Sequence, residues 1–290
     1  MRRVSLFLML ATLLLPACGG GSGGTVVVSD LPALGAYLIG VLQAETALAA
    51  EASPILTSTG GAAADDLAQG AEAAYSAFAA AIAGLSPPPE AKANQRNLIA
   101  LAEDGAEISA RLGGAAEAMD LRELTSIAVD TLELSIRSVD EVAERQNLIG
   151  AVLAAHPDRP MNRYLIAIAD LWVPLTADYH RLTGKVQRSL LDGRVSGAVG
   201  PCEELLGRFD EFLPKWEAIT PPPDAAEFHQ WYREWAAEGL DIVGGLLANL
   251  RSQNLTGLPG SMRRVTAWAE GWSQAIQLRN QITIAALEQP

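Results

Sequence analysis

The chain has only two cysteines, Cys18 and Cys202, in 290 residues. No disulfide framework is available, so the fold has to stand on its core. Histidine is nearly as scarce: His156, His180 and His229 are the full set. The residues three before them are Leu153, Ala177 and Ala226, and the residues three after are Arg159, Thr183 and Tyr232. Glu-x-x-His pairs of the di-iron type are therefore missing, as are His-x-x-x-His zinc pairs. There is no Cys-x-x-Cys, no Ser-x-x-Lys, and no nucleophile elbow between a strand and a helix. The residues thus name no metal, no cofactor and no catalytic group. Positive charge is also short, with 21 basic residues against 34 acidic ones. An acidic body of this kind argues against nucleic acid and against a polybasic membrane surface.

What the chain does have begins at its N-terminus. Arg2 and Arg3 precede an apolar stretch, Val4 to Leu15, broken only by Ser5 and Thr12. That stretch is too short to span a bilayer of roughly 30 Å and suits a signal-peptide core. It ends in Leu15-Pro16-Ala17-Cys18, which resembles the lipobox of bacterial lipoproteins. The resemblance implies cleavage before Cys18, lipid on its sulfur, and an extracytoplasmic, membrane-anchored protein of the cell envelope. Two or more acyl chains make such an anchor stable where one is marginal. Loss of Arg2 and Arg3 leaves 273 residues carrying 19 basic and 34 acidic groups, a net charge of −15. The expected organisation is a signal peptide over 1–17 and a lipidated, glycine-rich tether over 18–29. Two helical repeats follow, over 30–158 and 159–290.

Alanine and leucine dominate the remainder, and apolar residues recur at spacings of three and four. This pattern predicts an all-α fold. Glycine and proline punctuate it into eight helices, near Leu31–Leu56, Ala63–Leu85, Pro89–Met119, Asp120–Ala155, Asn162–Leu191, Ser196–Ile219, Pro223–Gln253 and Pro259–Leu287. Antiparallel, bundle-like packing is expected of helices joined so closely. Cys202, left without a partner, is expected as a buried thiol.

The two halves match at an offset of 134 residues. Leu85-Ser86-Pro87-Pro88-Pro89-Glu90-Ala91 falls on Ile219-Thr220-Pro221-Pro222-Pro223-Asp224-Ala225. The same offset pairs Phe78 with Phe212, Gly105 with Gly239, Ile108 with Ile242 and Leu112 with Leu246. Two tandem four-helix units, related by internal duplication, are the expected architecture. Each triple proline predicts a stiff corner. A residue before proline avoids the helical region, so only the third proline begins a helix, and an acidic residue then meets the positive end of its dipole. This helix–corner–helix pattern resembles the helical ectodomains of bacterial lipoproteins, a likeness that implies no activity.

The halves differ in one respect. All six tryptophans lie in the second: Trp172, Trp216, Trp231, Trp235, Trp268 and Trp272. Trp231 and Trp235, and again Trp268 and Trp272, are four apart and so share a helix face. The plain reading is an aromatic core. The sharper one is a cleft for an apolar ligand lined by these four, with His229 and Tyr232 as polar contacts. Together these features lead to a non-enzymatic, lipid-anchored helical module. It would touch the membrane through Cys18 and bind an envelope protein or a small apolar ligand. The alternative is an enzyme, or an accessory subunit of one, with an active site between the repeats. A solute-binding protein is disfavoured, because such proteins are commonly α/β and no strand pattern is present.

Overall fold

The computed structural model describes residues 28–57, 64–254 and 256–289. The expected signal peptide, Cys18 and nearly all of the tether lie outside the described residues. Every regular element among the described residues is helical. The main helices are α1 (Leu31–Thr57), α2 (Ala64–Ala83), α3 (Lys92–Ala118), α4 (Leu121–Ala154), α5 (Pro160–Leu191), α6 (Val199–Glu217), α7 (Ala226–Arg251) and α8 (Leu258–Leu287). Short 3-10 turns occupy Pro89–Ala91, Val195–Ala198 and Pro223–Ala225.

Local chemistry sets most of the boundaries. The Asp30 carboxylate accepts from the Ala33 amide at 3.0 Å and caps α1. Asp120 accepts from the amides of Arg122 and Glu123 and caps α4. The turn into α4 is so short that Met119 takes φ +52°, ending α3 in the left-handed region. α3 starts later than the proline pattern suggests. Pro89–Ala91 form a 3-10 turn, and Ala91 (φ −100°, ψ −1°) resets the backbone before Lys92. The second corner repeats the first: Pro88 and Pro222 both have φ −66°, with ψ 166° and 160°. In each corner an alanine amide, Ala91 or Ala225, donates to the carbonyl of that proline at 3.0 Å.

Each helix packs on the next, and α8 packs back on α1, so the series closes. α1 also touches α4, and α8 touches α4 and α5. One end of the molecule gathers both proline corners, the α4–α5 turn and the start and end of the described chain. There the Ser29 amide and hydroxyl donate to Glu90 of the first corner, and Arg159 donates to the Gln289 carbonyl. The stretch Leu31–Glu51 is apolar and long enough to cross a membrane by composition, yet half of it is buried inside the bundle.

The core is aliphatic in the first half, with Leu34, Leu38, Leu42 and Ile82 among its fully buried residues, and aromatic in the second, around Trp216 and Phe209. Two glycines admit rings where a side chain would collide. A Cβ on Gly105 would come within 2.8 Å of the Tyr75 ring, and one on Gly239 within 2.5 Å of Trp268. Cys202 lies in this core with its thiol toward the Val243 carbonyl. Burial pushes that thiol up to about 11, so it stays protonated and unreactive.

Candidate functional site

The four tryptophans paired by sequence spacing do come together, between α7 and α8. Trp235 and Trp268 stack with ring centres 4.3 Å apart and planes 10° apart. Each indole N–H donates to the other residue's backbone carbonyl, at 3.1 and 2.8 Å. Trp272 leans on Trp235 at 4.8 Å, and half-buried Trp231 stacks on its outer side. Reciprocal hydrogen bonds leave the two central indoles no free donor to offer. His229 and Tyr232 belong to a neighbouring stack: they flank Trp216 at 4.9 and 4.5 Å. Trp216 donates to the His229 carbonyl, and the Tyr164 hydroxyl lies 3.2 Å from Nδ1 of His229. Burial holds His229 below the ordinary histidine range. A cavity of about 10 Å³ remains beside Trp172, Tyr232, Trp272 and Arg279, which is at the lower limit for one water.

A second constellation, unread in the sequence, lies where α1, α3, α4 and α8 meet. Glu45, Glu141, Arg145 and Arg279 are all buried there, with Asn94 and Asn280. Glu45 Oε1 accepts from Arg145 Nη2 at 3.0 Å, and its Oε2 accepts from Arg279 Nη2 at 2.9 Å. The Asn280 amide donates to the same carboxylate at 2.8 Å and to the Leu42 carbonyl at 3.1 Å. Arg279 also lies over the Trp172 ring at 4.8 Å, a cation–π contact in a dry setting. From the other side the Tyr37 hydroxyl donates to Asn94 Oδ1, and the Asn94 amide donates to Glu141 Oε1, both at 3.0 Å. Burial alone would raise Glu45, but Arg145, Arg279 and Asn280 outweigh it and hold the carboxyl below its usual range. Burial raises Glu141 to about 7, with Arg145 pulling against it and Glu45 pushing with it.

Two signals for this cluster were present in the sequence. Glu45 is the single charged residue between Leu31 and Ala50, and the 134-residue offset puts Arg145 on Arg279. Neither has a periodicity that marks it as buried, because charged residues ordinarily belong to solvated faces.

Between α4 and α5, Ser135 Oγ lies 2.6 Å from His180 Nδ1. Burial pushes His180 down to about 4, and its Nε2 has no hydrogen-bond partner among the described residues. A serine beside a neutral imidazole has the makings of a nucleophile and base. This pair is buried, and no carboxylate orients Nε2.

An opening lies on the surface between α3 and α4, with a volume near 520 Å³. Arg137 bridges to Asp104 at 2.6 Å across its width. Arg111 bridges to Glu123 and Asp130, both at 2.8 Å. Glu107 and Glu133 also line it, from opposite helices, and no ion pair neutralises either among the described residues. Ile136, 45% exposed, supplies an apolar wall. At the matching offset between α7 and α8, Arg264 crosses to Asp241 at 2.7 Å, and Trp268 lies against Gly239. No group of three or more histidine, cysteine or acidic side chains suited to a metal occurs among the described residues.

No family model, curated protein or solved structure matches the chain.

Proposed function

We propose that the chain is a lipid-anchored, extracytoplasmic binding module built from two tandem four-helix units. In this reading the crevice between α3 and α4 receives a cationic segment of an envelope protein. The crevice is the observation that carries it. Two carboxylates with no ion pair among the described residues, Glu107 and Glu133, face one opening beside the exposed Ile136. A lysine or arginine flanked by an aliphatic residue has the complementary chemistry, and charge complementarity of this kind gives specificity and a fast encounter.

Duplication is supported by three observations. The proline corners share dihedrals, Gly105 and Gly239 both admit a ring, and the helix contacts map onto themselves when α1 is exchanged for α5. Under that exchange the packing of α8 on α1 becomes the packing of α4 on α5. Arg145 and Arg279 are then two copies of one arginine, both turned to Glu45.

The anchor follows from Leu15-Pro16-Ala17-Cys18. Twelve residues, Gly19 to Asp30, separate Cys18 from α1, too few to carry the helix far from a lipid on Cys18. The end bearing the proline corners would therefore face the membrane. The crevice, 12 to 19 residues along α3, would stand roughly 18–28 Å farther out at 1.5 Å per residue.

A photo-crosslinking residue at position 136, in cells, tests the binding reading. The expected outcome is a discrete adduct that disappears with Glu107→Lys/Glu133→Lys and survives charge reversal at exposed Glu234. Adducts indifferent to the crevice charges would remove the crevice from consideration.

The enzyme alternative rests on Ser135 and His180. It would be favoured by covalent labelling of Ser135 with a serine-directed phosphonate that His180→Gln abolishes.

A further inference from the structure

The buried network shares its donors unequally. Glu45 takes a guanidinium on each oxygen and the Asn280 amide besides. Among the described residues Glu141 receives one hydrogen bond, from Asn94, whose orientation is set because its own carbonyl accepts from Tyr37. The guanidinium nearest to it, Arg145, presents Nε at 3.5 Å while its Nη2 is committed to Glu45. A contact of 3.5 Å is beyond a good N–H···O bond. An ionised carboxylate so placed is poorly compensated, and burying it is costly.

The charged and titratable groups around Glu141 come from every element packed there. They are Tyr37 and Glu45 on α1, Glu144 and Arg145 on α4, and Arg279 on α8 behind Glu45, while α3 contributes the neutral Asn94. A negative charge on Glu141 would thus stand beside two other carboxylates. It would be relieved by water entering the junction or by Arg145 leaving Glu45, and either event separates helices.

We propose that Glu141 is a proton latch: while it holds its proton α4 stays closed on α1 and α3, and when it gives the proton up that junction loosens.

The sign follows from linkage. Glu141 sits near 7 in the folded chain, above its ordinary 4.5. The folded chain therefore keeps a proton that the unfolded chain has already lost, and this contribution to stability disappears as pH rises through that window. His180 acts in the opposite sense. Lowered to about 4 from 6.5, it removes stability as pH falls. The two windows overlap, so the latch is read from the difference between the parent chain and Glu141→Gln, which keeps the acceptor for Asn94 without the charge.

Urea midpoints of the full chain in detergent, from pH 5 to 8.5, are expected to lie closest together at pH 5. They should separate progressively in favour of Glu141→Gln up to about pH 7.5, and stay apart at a constant gap above it. A gap that ignores pH, or that narrows as pH rises, overturns the proposal. The parent chain alone gives a second reading that does not depend on the variant folding. With glutamate carboxyls labelled with carbon-13, one should titrate near neutrality, and amide exchange over residues 138–148 should accelerate with it beyond the intrinsic pH dependence. Refutation comes either from all carboxyls titrating below pH 5.5 or from a neutral titration that leaves exchange unchanged.

Discussion

Single residues in this molecule act mainly through what they leave uncompensated. Glu45 is the clearest case, as the anion both Arg145 and Arg279 turn to. Removing one partner of a buried ion cluster is much worse than never having built it, because the remaining charges stay out of water. Glu45→Leu is therefore expected to cost about 3–5 kcal/mol in denaturant unfolding. Adding Arg145→Met and Arg279→Met to that variant should restore a large part of the loss. If the triple variant is no more stable than Glu45→Leu alone, the cost lies in packing, and the ionic account of this junction fails. None of this was legible from position alone. Glu45 interrupts an apolar helix, which marks it as unusual, but its partners lie 100 and 234 residues away. The tryptophans were half legible: a spacing of four puts two indoles on one helix face, whereas the stacking of Trp235 on Trp268 joins two helices and has no spacing.

Elements were the most legible level, since helix ends are decided by neighbours in sequence. Asp30 and Asp120 cap, and the third proline of each corner starts its turn, as side-chain chemistry requires. How closely two helices approach is another matter, and here glycines divide into two kinds. Gly207, on an exposed face of α6, has open space where a Cβ would go, whereas Gly239 of α7 has the Trp268 ring there. Gly207→Ala should raise stability by about 0.8–1 kcal/mol through helix propensity. Gly239→Ala gains the same propensity, yet has to displace a stacked, hydrogen-bonded indole, an overpacking cost of typically 1–3 kcal/mol. Its net effect should be a loss, accompanied by a change in tryptophan emission. Urea midpoints decide it, and a gain at both positions would mean that α7 and α8 can part without penalty.

At the scale of the whole molecule, the all-α class followed from composition and periodicity, while the closing of the series followed from neither. Periodicity says that a helix has an apolar face, and many partners satisfy one such face. The contact of α8 with α1 depends on where every connection before it has aimed the chain. The proposed anchor belongs to this scale too. Cys18→Ser should shift the protein from the membrane fraction to the soluble fraction and abolish labelling by a fatty-acid probe, with the helical circular dichroism of the ectodomain unchanged. A Ser variant that still labels and still sediments with membranes would refute the lipid anchor.

The return of α8 onto α1 also imposes an order on the life of the chain. Synthesis runs from the first residue to the last, so α1 exists long before the helix that will cover it. Throughout that interval Glu45 waits on an apolar helix with half of its counter-charge unmade, since Arg279 lies 234 residues further along, on α8. Contacts this far apart in sequence are slow to form, because closing a long loop costs entropy before anything is gained. A nascent chain that has not yet made α8 has an open flank with a half-compensated carboxylate at its centre, the kind of surface that attracts chaperones and proteases. The docking of α8 is thereby the step that covers the flank of α1 which the earlier helices leave open.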